Sequence, residues 1–293
     1  MPSKPWTSRK APTHFLCLPL CNVSSRAQLI ASLQSFQEQA NDDWKDKAQP
    51  DVTGTPPAPE ETSATYLECP QQPMRSEPES SPCPQPTVSV NMFRPPGTLH
   101  FTLGVMHLAD AGQLELAKKL LEALDLNRTF SSIDNQTPDV GNDRFAPLHT
   151  NLESVYALPS PWNTRVLYTA PPPNMPSTTR LQAVADTIRH SFLAAGLLED
   201  EGRPLLLHAT LFNTIYGKVK GKRRRKSERK LNTARLIEAM KGFGFARNIN
   251  ITRVALCEMG AKHVEGEEGQ RYWEVAGKGF PTWENGEDGD QNR

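Results

Sequence analysis

Two five-residue stretches, LHFTL at 99–103 and LHATL at 207–211, constrain the fold more than any other part of the sequence. Residues two apart on a strand project from the same face. His100 and Thr102 therefore point one way while Leu99 and Leu103 point the other, and His208 and Thr210 oppose Leu207 and Leu211 in the same manner. Each stretch must be a strand with an apolar face to cover and a polar face left open. Of the seven histidines, only these two carry a Thr two places on. A helical pattern follows each stretch, so the repetition predicts two similar half-domains around a shared cleft.

The rest of the sequence supplies matching elements. Apolar runs predict strands at 14–20, 98–106, 152–158, 164–170, 205–213, 249–258 and 271–276. Four amphipathic helices lie between them. The first, about 25–39, aligns Leu29, Ile30, Leu33 and Phe36; the second starts after Asp110, with Gln113 as capping-box partner. A third aligns Leu181, Val184, Ile188 and Phe192, and a fourth aligns Leu236, Ile237, Met240 and Phe243 and stops at Gly244. Strands and helices do not alternate strictly, which favours an α+β fold with largely antiparallel sheets over a doubly wound parallel one. Residues 41–90 hold ten of the 26 prolines among Ser, Thr, Glu and Gln, too little apolar surface to offset the entropy of ordering. The expected organisation is a single bilobal domain at 13–280 after a flexible N-terminus at 1–12. A disordered Pro-rich insertion at 42–88, an Asn/Asp/Ser-rich loop at about 129–146 and a basic loop at 218–230 interrupt it, and an acidic flexible tail at 281–293 ends it.

Lys plus Arg and Asp plus Glu both number 33, so global charge identifies no partner. No apolar run approaches the ~20 residues that span a bilayer, and no membrane association is expected. The N-terminal basic residues before HFLCLPL mimic a signal peptide, but Pro19 and the lack of a small-residue cleavage site read better as a buried strand. The five cysteines form no CxxC and no His–Cys cluster with zinc-site spacing, which predicts reduced thiols and no metal.

Two imidazoles and two hydroxyls converging on one cleft suit a phosphodiester. A neutral His takes a proton from water or a hydroxyl, and a protonated His donates to the leaving oxygen. An unperturbed pKa near ~6.5 allows either role at cellular pH. Thr hydroxyls would hydrogen-bond the non-bridging oxygens as charge develops there. His14 could line the same cleft from the first strand. No cofactor is required.

The paired motifs resemble those of the two-histidine phosphoesterase superfamily, which includes RNA 2′,5′-ligase-like proteins, cyclic phosphodiesterases and the A-kinase anchoring protein 7-type domain. THFLCLPL at 13–20, LHFTLGVMHL at 99–108, LHATLFNT at 207–214 and TARLIEAMKGFGF at 233–245 are most similar to the branch found in activating signal cointegrator complexes. The resemblance implies a bilobal α+β fold with the motifs facing each other across a cleft. It implies His100 and His208 as the acid–base pair, and Thr102 and Thr210 as phosphate binders. It implies RNA ends or oligonucleotides with 2′,3′-cyclic or 2′,5′ linkages as substrates, and nuclear helicase or coactivator subunits as partners of a monomer. That branch opens with a KH RNA-binding domain; here a dozen residues precede the first strand, and the two GxxG stretches, Gly266 to Gly269 and Gly286 to Gly289, each enclose an acidic pair that would repel phosphates.

The run KVKGKRRRKSERK at 218–230 holds nine Lys or Arg. It reads as a solvated loop, as a nuclear localisation signal, or as an RNA contact through Arg223, Arg224 and Arg225. The nucleus, with the cytoplasm as a second location, is expected. Three functions share the same residues: a metal-independent RNA phosphodiesterase, a ligase running the reaction in reverse, and a non-catalytic RNA- or phosphate-binding subunit.

Overall fold

The computed structural model describes residues 10–46, 88–136, 147–200, 202–217, 231–264 and 269–281. Residues 1–9, 47–87, 137–146, 201, 218–230, 265–268 and 282–293 lie outside them, and with these most of the expected N-terminus, insertion and tail and all of the basic run.

In chain order the elements are β1 (His14–Pro19), α1 (Arg26–Asp46), β2 (His100–Met106), α2 (Ala111–Ala123), α3 (Leu126–Gln136), β3 (His149–Leu158), β4 (Val166–Ala170), α4 (Pro176–Ala194), β5 (Ala209–Asn213), α5 (Ala234–Ala239), β6 (Gly244–Asn250), β7 (Arg253–Glu258), β8 (Lys262–His263), β9 (Gln270–Arg271) and β10 (Glu274–Gly279). The fold is α+β. One antiparallel sheet runs β10-β7-β1-β2 and the other β5-β4-β3-β6, with β8 and β9 as a separate hairpin. Both motif strands are thus sheet edges, and β2 approaches β5.

The lobes are not halves of the chain. The first sheet takes β1 and β2 from the N-terminal part and β7 and β10 from the C-terminal part, enclosing the second. The apolar run 249–258, expected as one strand, is where the chain changes sheets: β6 ends at Asn250, Ile251 and Thr252 make the passage, and β7 begins at Arg253. A continuous core joins the lobes, with Leu16, Phe101 and Leu103 in the same buried cluster as Leu152, Leu167 and Leu211. Each such side chain contributes about 1.5–3 kcal/mol by leaving water.

Helix α1 buries Leu29, Leu33, Phe36 and Ala40, at helical spacing, and leaves Ile30 exposed, contrary to the expected face. It packs against β6 of the second sheet, with the Phe36 ring 5.9 Å from Phe245. It also runs to Asp46, past the expected boundary at 42, because Trp44 reaches Phe212 (centroids 5.3 Å apart) and Phe93 (6.0 Å). The expected loop from 129 is likewise helical up to Gln136. The Asp125 side chain accepts from the Arg128 amide (2.9 Å), and Leu126, Phe130 and Ile133 form an apolar stripe. Of the Asn, Asp and Ser residues that read as a loop, those from 137 onward lie outside the described residues, and Ser132 and Asn135 are on the solvent face of α3. Its buried Asp134 takes a bidentate bond from Arg180 of α4 (2.7 and 3.1 Å). The fourth expected helix is only α5; it ends at Ala239, a turn through Gly242 (φ 71°) follows, and Gly244 opens β6.

Candidate active site

Both histidines are held by the same local device. Nδ1 of His100 lies 2.7 Å from the Thr98 carbonyl, and Nδ1 of His208 lies 2.8 Å from the Leu206 carbonyl, each two residues upstream. A carbonyl can only accept, so Nδ1 carries the proton in both rings and Nε2 keeps its lone pair. Neither Nε2, nor the hydroxyl of Thr102 or Thr210, bonds to any of the described residues. Four groups able to handle a proton or a phosphate oxygen are thereby left unused.

The strands match at a finer level. Between β1 and β2 the register passes from Leu16↔Gly104 to Cys17↔Thr102, leaving Leu103 as the extra residue. Between β4 and β5 it passes from Leu167↔Phe212 to Tyr168↔Thr210, leaving Leu211 extra. The last Leu of each LHxTL motif is therefore a bulge, directly after the Thr. Bulges bend a strand and re-aim its side chains, and they leave a backbone group without its ladder partner. Here those carbonyls are satisfied from outside the sheets. Arg189 Nη1 donates to Leu103 O (2.6 Å), and the Arg94 amide donates to Leu211 O (2.8 Å).

Aromatic rings frame both imidazoles. His100 lies 4.8 Å from the Phe15 ring and 5.2 Å, edge-on, from Tyr272; His208 lies 5.3 Å, edge-on, from Tyr168. A hollow of about 280 Å3 opens beside His100, lined among others by Cys17, Arg26, Arg253 and Tyr272. Burial pushes the His100 pKa down to about 4, and Arg94 and His208 act in the same direction against the Thr98 carbonyl, which raises it. His100 is accordingly neutral at cellular pH. The two motifs are brought near one another by the approach of β2 to β5.

Cys17 and Cys257 are free thiols with sulfurs 3.9 Å apart on the floor of this side, and burial pushes the Cys17 thiol well up, so it stays protonated and unreactive. Cys21 is in no disulfide either, while Cys69 and Cys83 lie outside the described residues. Among the described residues no group of three or more His, Cys, Asp or Glu is placed to hold a metal ion.

His14 is not part of the cleft. It neighbours Phe15 on β1, so the two side chains take opposite faces, and Phe15 holds the face toward His100. His14 is buried instead with Thr13 Oγ1 2.9 Å away, and its pKa is lowered by that burial. His208 precedes β5 by one residue rather than sitting within the ladder. Arg223, Arg224 and Arg225 lie outside the described residues. Arg94, Tyr168 and Tyr272 carry no signal in the sequence: each belongs to the site only through strand pairing or a contact between lobes.

A bilobal α+β fold that sets a His-x-Thr on each of two facing edge strands defines a two-histidine phosphoesterase. The chain belongs to the AKAP7 2′5′ RNA ligase-like domain family, whose model matches residues 12–267. No curated protein matches it. Among solved structures it is similar to Escherichia coli LigT complexed with 3′-AMP, at 14% identity, with 92% of this chain and 99% of that one covered and a TM-score of 0.40. It is also similar to TT0787 of Thermus thermophilus, at 12% identity, 92% and 97% coverage and a TM-score of 0.43. A further structure, described as a phosphoesterase, aligns at 14% identity, 93% and 100% coverage and a TM-score of 0.38.

Proposed function

We propose that the chain hydrolyses 2′,3′-cyclic or 2′,5′ phosphodiester linkages in RNA or oligonucleotides, by paired-histidine acid–base catalysis without a metal. The observation that carries this reading is the matched pair of rings, each with Nδ1 tied to a carbonyl and Nε2 left open beside a free Thr hydroxyl. His100, neutral because of its burial, suits the general base: its Nε2 takes a proton from water as the oxygen attacks phosphorus. His208, in its protonated form, gives a proton from Nε2 to the departing ribose oxygen as the P–O bond breaks. The Thr102 and Thr210 hydroxyls donate to the non-bridging oxygens while charge grows there. Run backward, the same transfers join two ends, so ligation needs no other residues. Acting on RNA in the nucleus, beside helicase or coactivator subunits, is consistent with the basic run at 218–230, through Arg223, Arg224 and Arg225, as an RNA contact or import signal.

Turnover of 2′,3′-cyclic-phosphate RNA and of 2′,5′-linked oligoadenylate, measured in EDTA, tests the mechanism. Replacing His100 or His208 by Ala should lower the rate by roughly 10²-fold or more with the fold intact, and Thr102→Ala or Thr210→Ala by less. Single His variants with wild-type rates on a substrate the protein does turn over, or a rate lost in EDTA and restored by zinc, would sink it. Neutralising the three arginines should flatten the salt dependence of RNA binding, by a log–log slope of roughly 0.7 per lost phosphate contact. An unchanged slope with altered localisation leaves only the import role.

A further inference from the structure

Among the described residues two arginines are deeply buried, with opposite surroundings. Arg180, 5% exposed, is neutralised by the bidentate carboxylate of Asp134. Arg94, 7% exposed, has no carboxylate partner among the described residues. Its Nη2 donates to the Tyr272 hydroxyl (3.0 Å), and its guanidinium carbon stands 4.4 Å from the centre of the Tyr216 ring and 5.9 Å from that of Tyr272. Ring faces and one phenol oxygen attract a cation but do not balance its charge. A buried charge left without an opposite one is costly, so an anion that reached it would be held strongly.

Its position says which ligand. The Arg94 amide is bonded to Leu211 O, next to Thr210, and Phe93 bridges to Phe212, so this segment lies along the open edge of β5. The Tyr272 that receives the guanidinium stands edge-on against His100. Arg94 thus spans the gap between the two motifs, touching the strand of one and the aromatic neighbour of the other. Its charge also reaches His100, which it helps to keep neutral.

We propose that Arg94 is a phosphate-binding residue of the cleft, its planar guanidinium taking the non-bridging oxygens of the phosphodiester, and of the phosphomonoester product, together with Thr102 and Thr210. The fork of five N–H donors suits paired phosphate oxygens, and only one of the five is engaged by Tyr272. The placement of the phosphate rests on the phosphoesterase reading above; the presence of an anion site does not depend on turnover.

Titration of the full-length protein with inorganic phosphate, followed by calorimetry, tests this without any assay of activity. Arg94→Met, which keeps the stem and removes the charge, should weaken phosphate binding at least about tenfold, as loss of a charge-assisted bidentate contact does. Arg94→Lys should retain part of the affinity, and provides the comparison if the Met variant does not fold. Tyr272→Phe, which removes the bond to Arg94 but not the charge, should change binding much less. In the same Met variant the His100 ring, followed by NMR, should titrate at a higher pH than in the wild type, because the positive charge beside it is gone. Phosphate bound equally by the wild type and a folded Met variant, or not bound by the wild type at all, would overturn the proposal. Phosphate bound by the wild type and lost with Arg94, in a protein that turns over no RNA linkage, would uphold it while removing the catalytic reading.

Discussion

At the scale of single residues, the carbonyl two positions upstream does more for each histidine than any side chain. The Thr98 and Leu206 carbonyls fix which nitrogen carries the proton, and so decide that Nε2 is the one that can act on a substrate. His100 also ties stability to pH. Its pKa is depressed from 6.5 to about 4 in the folded state, so between those values the unfolded chain binds a proton that the folded one does not. Unfolding then takes up protons, and stability rises with pH across that window. Denaturant midpoints should therefore fall as pH is lowered from about 6.5 toward 4, and that part of the slope should vanish in His100→Asn. An Asn variant with the same slope in this window would assign the effect to other groups.

At the scale of elements, a bulge at the same place in two strands separates a functional repeat from a chance one. Leu103 and Leu211 each add a residue after the Thr, and each passes its carbonyl to a partner outside its sheet. Helices α3 and α4 have a different joint, the bidentate Arg180–Asp134 pair, with Arg180 also set 5.3 Å from the centre of the Phe130 ring. Removing one partner of a buried pair leaves an uncompensated charge, so Asp134→Ala should cost roughly 3–5 kcal/mol. The thermal midpoint and denaturant midpoint report this; a loss below about 1 kcal/mol, the worth of a surface pair, would mean that water reaches the guanidinium.

At the scale of the whole molecule, the ends of the insertion are part of the core. Trp44 packs on Phe93 and Phe212, and Val88 packs against the main cluster. Replacing residues 42–88 by a short Gly/Ser linker should therefore lower the melting temperature. Replacing only 47–87, whose composition offers little apolar surface to bury, should leave it nearly unchanged. Equal melting temperatures for the two deletions would show that α1's last turn contributes nothing, and an equally large loss in both would place a structured element within 47–87.

The two LHxTL stretches, read with strand geometry alone, determined that His100 and Thr102 share a face, as do His208 and Thr210, and that their leucines are buried. Apolar spacing likewise placed Leu181, Val184, Ile188 and Phe192 on the buried face of α4. These are local properties, set by periods of two and 3.6 residues. α3 escaped because its polar face outnumbers an apolar stripe of three residues, and the division of 249–258 between two sheets escaped because an apolar run has the same periodicity whichever sheet receives it. Only the tertiary structure decided that β7 and β10 return to the first sheet, that α1 crosses to the second, and that Arg94 and Tyr272 stand beside His100. Those placements depend on which strand edges pair across long stretches of chain, and no residue's spacing from its own neighbours encodes that choice.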